Sequence, residues 1–289
     1  MEQETMNAGQ FNNPAQGTLL NDARSRELTS VRLNEDARFI FPSNDEYWCV
    51  GITIGERLYE PEIDWLLRRA MGRPYALIDC GANMGYWTVL ASSAPYGGHP
   101  AAAVEASRAN YEILSLNLAA NNNRFVTVHR AILDQSGQRV RLYGEKHYGM
   151  SVRSDWHPSS SMVFEEVETI TIDEVAERYL PGRKYPALIK IDIEGSEIEA
   201  IKGARGMIEE GALLIYEDHG KEPTHPVSRF VLAEPEIAMW RAPPDQRPVP
   251  ITSIEQVAAV KQDARMGYNF FAHKRVSPWL SAFEGVEGS

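Results

Sequence analysis

The sequence predicts an α/β domain with a doubly wound, mostly parallel sheet, and three observations lead to it. Short apolar runs of strand length alternate with longer amphipathic stretches from Tyr75 onward, the order that βαβ units require. One junction, "LIDCGANMGYWTVLASS" at 77–93, sets a glycine-rich turn between an apolar run that ends in an acid and an apparent helix. The 289 residues can bury one sizeable core, and no internal repeat interrupts the alternation.

Residues 1–35 are polar, rich in Asn and Gln, and read as a flexible arm. A cap follows over 36–74. In it "RFIFPSNDEYWCVGITIG" offers two strand-like runs around a turn, and "EPEIDWLLRRAMG" a helix with Pro61 in its first turn and Gly72 past its end. The main domain spans 75–275. There "YALIDCG" leads into a helix from Tyr86, "AAAVEAS" into the helix "RANYEILSLNLAANN", and "FVTVHRAI" into a small turn and the strand "RVRLYG". Thr171 and Glu174 read as a capping box opening "IDEVAERYL". "YPALIKIDIEG" then leads to the helix "SEIEAIKGARGMIEEG" and the strand "ALLIYEDHG". The runs "EIAMWRA" and "GYNFFAHK" break the alternation and suggest a closing strand pair, the last inserted antiparallel. Residues 276–289 read as a tail, with "EGVEGS" disordered.

Composition narrows the function. The chain is 43% apolar and 24% charged, and no apolar run approaches the ~20 residues that span a bilayer. The amino-terminal "MEQETMNAGQFNNPAQG" lacks the basic and apolar regions of a secretory signal, so a cytoplasmic location is expected. Two cysteines, Cys49 and Cys80, without CxxC spacing or a His/Cys cluster, support neither a disulfide framework nor zinc. A net charge of −11 opposes a nucleic-acid partner, and the basic pairs Arg24/Arg26 and Arg68/Arg69 read as solvated surface.

The glycine turn, Asp79-Cys-Gly81-Ala-Asn83-Met-Gly85, lets backbone approach a ligand and offers helix-start N–H donors. That much suits NAD as well. The third glycine of a dinucleotide motif is missing, with Tyr86 or Trp87 in its place, and Asp79 stands where a pyrophosphate would come near. An acid repels phosphate and attracts an ammonium, which favours S-adenosylmethionine. Glu105, ending "AAAVEAS", is placed to accept ribose hydroxyls at the tip of the next strand.

"LIDCGANMGYWTVLA", "YEPE", "TITIDEV" and "LIKIDIEGSEIEAIKGA" together resemble the FkbM family of S-adenosylmethionine-dependent methyltransferases. The resemblance covers roughly 50–220 and implies a seven-stranded sheet of the class I (Rossmann-like) methyltransferase type. It also implies O-methylation of a hydroxyl on a saccharide or natural-product-like small molecule. By it Asp79, Gly81, Ala82, Asn83 and Gly85 line the methionine end, Glu105 the ribose and Ala131 the adenine; Ala106 and Asp192 complete the expected cofactor contacts. Methylation of a nitrogen on a peptide or RNA, or a cofactor-binding subunit without catalysis, are the alternatives.

Strand alternation in "ALIKIDIEG" puts Leu188, Lys190, Asp192 and Glu194 on one side. Central parallel strands are normally apolar on both faces, so a lysine and an acid there require an explanation. Either a buried Lys190–Asp192 pair only orders the site, or Asp192 faces the reacting groups. "LLIYEDHG" brings Glu217 and His219 to the neighbouring strand end, and Asp192 or His219 could take the proton of an attacking hydroxyl. The same acids could hold Mg²⁺. Glu197 and Glu199 read as solvated or dipole-favoured acids of a first helical turn. The aperiodic segment 144–161 carries His147, Tyr148, Trp156 and His157, a candidate substrate loop with surfaces for ring stacking.

Overall fold

The computed structural model describes residues 3–6, 27–54, 59–144, 149–156, 163–182, 184–243 and 247–283. The chain opens with a small antiparallel sheet, β1 (Gln3–Met6), β2 (Leu28–Asn34) and β3 (Ala37–Pro42). Strand β2 lies inside the segment expected to be a flexible arm. Its Leu28 and Val31 are buried, and their spacing within a polar context hides a half-buried strand from composition alone. A second correction falls at "YWCVGITIG", which is helical over Glu46–Trp48 and Cys49–Ile54 rather than extended. Asp45 starts that turn by accepting the Trp48 N–H, and Trp48 then buries against Phe39 and Tyr86. Helix α1 (Pro61–Ala70) forms as expected, with proline in its first turn.

The alternating part begins at β4 (Ala76–Cys80), followed by α2 (Tyr86–Ala91), β5 (Ala101–Glu105), α3 (Arg108–Ala120) and β6 (Val126–His129). A side sheet of β7 (Ala131–Ile132), β8 (Arg139–Gly144) and β9 (Val163–Ile170) precedes α4 (Ile172–Tyr179). Only half of the expected capping box forms there. Thr171 Oγ1 accepts from Glu174 N–H, while the Thr171 N–H donates to Ser136. Then come β10 (Ala187–Ile191), α5 (Glu197–Lys202), α6 (Arg205–Glu209), β11 (Leu213–Glu217), α7 (Pro226–Leu232), β12 (Ile237–Arg241), β13 (Val249–Ile251), α8 (Ile254–Val260), β14 (Asn269–Lys274) and α9 (Leu280–Phe283).

The central sheet runs β13-β12-β14-β11-β10-β4-β5-β6. Strands β11 to β6 are parallel, and β14 inserts antiparallel between β11 and β12. Seven of these strands make the class I methyltransferase order, and the three-residue β13 adds an eighth at the edge. The expected tail also departs from the sequence reading. Trp279, Ala282 and Phe283 are buried, with Phe283 stacked on Trp240, so the chain as far as 283 belongs to the core. Residues 284–289 lie outside the described residues.

Register decides which side chains meet. Asp79 pairs with Lys190 across β4 and β10, and Glu217 with Asn269 across β11 and β14. Leu77, Leu188 and Ile215 belong to one apolar core with Phe39, Trp48 and Leu66 of the cap; Ile78, Ile189 and Tyr216 belong to the other, under α4 to α8. The polar residues of the strand ends thus fall on the cap side. Asn117 fixes the cap to this face. Fully buried, it donates to the Ile40 carbonyl at 2.8 Å and accepts the Ile40 N–H at 2.7 Å, as a paired strand would, while also donating to the Met84 carbonyl of the glycine turn at 2.8 Å.

Candidate active site

A cavity of about 620 Å³ opens at the carboxyl ends of β4, β5, β10 and β11, where open α/β sheets bind ligands. Its floor is the glycine turn. The Gly81 and Ala82 N–H groups both donate to Val104 O at 3.0 Å, which ties the turn to β5. Gly81 has φ +75, and a Cβ there would overlap the Asp192 carbonyl oxygen, so only glycine lets the β4 and β10 ends come together. Gly85 is different from its expected role. It does not line the cavity; it starts α2 with φ +91, and a Cβ would strike Leu114 of α3. Asp79, Gly81, Ala82, Asn83, Glu105, Ala106, Ala131 and Asp192 all border the cavity.

Asp79 is 1% exposed; its Oδ2 accepts from Thr88 Oγ1 at 2.6 Å, and its Oδ1 is buried with no hydrogen-bond partner. Burial raises its carboxyl above the ordinary range, against the opposing pull of Lys190. A buried acceptor left unpaired beside a cavity calls for a donor or a cation. Glu105 accepts the Asn83 and Ser107 N–H groups, each at 2.8 Å. Burial pushes its pKa up to about 7 in spite of those bonds.

Lys190, 4% exposed, donates to Asp192 Oδ2 at 2.9 Å. Burial alone would depress this ammonium, but Asp192, Glu60 and Asp79 outweigh it and hold it above the usual lysine range. Glu60 was not legible as a site residue. It sits before α1 at φ 45, accepting from Trp87 Nε1 at 2.6 Å and Asn269 Nδ2 at 2.7 Å, and burial raises its carboxyl. The only sequence signal was the acid-proline step in "YEPE". Tyr47 and Tyr59 also line the cavity, with Tyr47 donating to Tyr59 Oη at 2.7 Å.

Glu217 borders the cavity as expected, with its carboxyl raised by burial and by Asp192, Glu194 and other neighbouring acids. His219 stands outside the cavity lining, and its Nδ1 accepts the Lys221 N–H at 3.2 Å. Glu197 corrects the sequence reading: it is 5% exposed and accepts from the Gly195 and Ile193 N–H groups, staking the turn after β10, with burial pushing its pKa to about 7. Glu199 stays half-exposed. Of the segment 144–161, Gly149, Met150 and Val152 reach the cavity, and Ser151 Oγ donates to the Glu194 carbonyl at 2.6 Å. His147, Tyr148 and His157 lie outside the described residues, and of Trp156 only the backbone, a 3₁₀ turn, is described.

The acids expected to hold Mg²⁺ form a different set. Glu194, Glu217 and His219 bring ligand-capable atoms within 4.8 Å of one another. Mg²⁺ prefers an all-oxygen shell, whereas this set includes an imidazole and has the Lys221 charge beside Glu194 and Glu217; we assign it no metal.

This strand order is that of the class I (Rossmann-like) methyltransferase fold. The family model described as the methyltransferase FkbM domain matches residues 79–232, more than half of the chain. The chain belongs to the FkbM methyltransferase family. No curated protein matches it significantly. Among solved structures, the methyltransferase FkbM from Methylobacillus flagellatus KT is 19% identical with a TM-score of 0.43, over 69% of this chain and 44% of that one. An O-methyltransferase from Bacillus cereus in complex with SAH is 13% identical, with a TM-score of 0.41 over 76% and 83% of the two chains. A SAM-dependent O-methyltransferase from Thermotoga maritima is 12% identical, with a TM-score of 0.40 over 82% and 73%. This chain therefore spans under half the length of the Methylobacillus chain. Among the described residues no helix is long and apolar enough to cross a membrane.

Proposed function

We propose that the chain transfers the methyl group of S-adenosylmethionine to a hydroxyl of a saccharide or natural-product-like small molecule. The observation that carries this reading is the Lys190–Asp192 pair, which borders the same cavity as Asp79 with its unpaired carboxylate oxygen. The donor set fits the cofactor. Asp79 Oδ1 offers an acceptor to the ammonium, and Glu105, fixed by two backbone N–H groups, keeps lone pairs for ribose hydroxyls. When bound, the cofactor supplies an electrophilic methyl on a sulfonium.

The chain's own residues then have two tasks. The cavity aligns the acceptor, and a base must take the hydroxyl proton as attack proceeds, worth roughly 100- to 10,000-fold in rate. Lys190 holds Asp192 Oδ2, leaving Oδ1 outside that bond to accept from the hydroxyl. Glu217 is the second carboxyl on the same wall, and His219 stands behind it. Labelled cofactor incubated with glycan and metabolite pools, followed by identification of the labelled product, tests the acceptor assignment. The reading expects a methyl ether; a methylated nitrogen would replace it with the alternative.

A further inference from the structure

With Asp79 and Glu105 assigned to the cofactor and Asp192 bonded to Lys190, four carboxylates still border the cavity: Glu60, Glu62, Glu194 and Glu217. Glu60 and Glu62 are held by neutral groups. One Asn269 amide nitrogen donates to both, at 2.7 and 3.0 Å, and the Trp87 indole supplies the other bond to Glu60. Lys190 is the cation nearest in effect to Glu60, but its hydrogen bond goes to Asp192. Arg265, at the rim, pairs with Asp263 at 2.7 Å, and Arg130, on the Ala131 side, pairs with Glu168 at 3.0 Å. Lys221 faces Glu194 and Glu217 from an exposed position. Gly267 makes room for Glu217, since a Cβ there would overlap its carboxylate. Tyr47 and Tyr59 line the same cavity, and aromatic side chains can attract cations.

Glu60, Glu62 and Glu217 have no bonded cation among the described residues, and burial makes Glu60 and Glu217 costly to ionise. A ligand that brings positive charge on a ring-sized body would offset that cost beside aromatic lining. The cofactor's sulfonium contributes one charge, which disappears on transfer. We propose that the methyl acceptor carries a cationic amine that docks against Glu60, Glu62 and Glu217 in the cavity that Tyr47 and Tyr59 also line, and that anionic acceptors such as phosphorylated or carboxylated sugars are rejected. This rests on the methyltransferase reading above and specifies its acceptor.

The test uses three phenyl probes of similar size and different charge, benzylammonium, benzyl alcohol and benzoate, titrated into the protein loaded with S-adenosylhomocysteine, which carries no sulfonium. Benzylammonium is expected to bind at least ~10-fold more tightly than benzyl alcohol, with benzoate weakest. The double variant Glu62→Gln/Glu217→Gln, which keeps Glu60, should reduce that preference at least ~3-fold while S-adenosylhomocysteine affinity stays unchanged. Equal binding of the three probes, no binding by any of them, or an undiminished preference in the double variant overturns the proposal. Failure of the wild-type protein to bind S-adenosylhomocysteine at the outset would instead remove the methyltransferase reading on which it rests.

Discussion

Replacing Lys190 by methionine removes one positive charge while keeping the volume of the side chain, so the loss is electrostatic and not a cavity. Lys190 Nζ sits 2.9 Å from Asp192 and neighbours Asp79 in register on β4, with Glu60 also in its field. Removing one partner of a buried pair costs ~3–5 kcal/mol. The Asp192 side chain keeps 22% of its exposure and is partly hydrated, which places Lys190→Met at the lower end, about 3 kcal/mol. The loss must depend on pH. Without the ammonium, the buried Asp79 and Glu60 carboxyls, already raised by burial, rise further and hold protons that the unfolded chain has released. The folded variant therefore loses stability as pH rises above the ordinary carboxylate range, and its deficit is largest near pH 8 and smaller near pH 5. Urea unfolding followed by tryptophan fluorescence at both pH values measures it. A deficit under about 1 kcal/mol at pH 8, or one equal at the two pH values, would refute the argument that this lysine neutralises a cluster.

Three further outcomes follow from the same site. Asp192→Asn should leave S-adenosylhomocysteine affinity intact while kcat falls at least ~100-fold; near-normal turnover at saturation would move the base to Glu217 or His219. Gly81→Ala should weaken S-adenosylhomocysteine at least ~10-fold, whereas Gly182→Ala, with a similar positive φ of +72 but open space around it, should cost only ~1–2 kcal/mol of stability and leave binding alone. Glu105, with a pKa of about 7, accepts ribose hydroxyls best when ionised, so the affinity for 5′-methylthioadenosine, which has no amino-acid tail, should rise roughly tenfold from pH 6 to pH 8. A flat profile in calorimetry would separate Glu105 from the ribose.

The sequence by itself determined the alternating core, because strand and helix periodicities are local and each run from "YALIDCG" to "ALLIYEDHG" shows its period within a few residues. Asp79, Glu105, Lys190, Asp192 and Glu217 were legible for a related reason: a polar residue inside or at the end of a central strand contradicts its surroundings. Only the tertiary structure decided what comes to them from a distance. Glu60 comes into the field of Lys190 because the cap folds over the strand ends, and Asn269 reaches Glu60 and Glu62 because β14 inserts beside β11. Neither approach leaves a periodic trace. The stretch "YWCVGITIG" has the aromatic and β-branched residues of a strand, yet burial of Trp48 against Phe39 and Tyr86 and the Asp45 cap make it helical. Gly81 and Gly85 look alike in the motif, but one clears the Asp192 backbone and the other the Leu114 side chain, a distinction that depends on which neighbour the fold brings to each Cα.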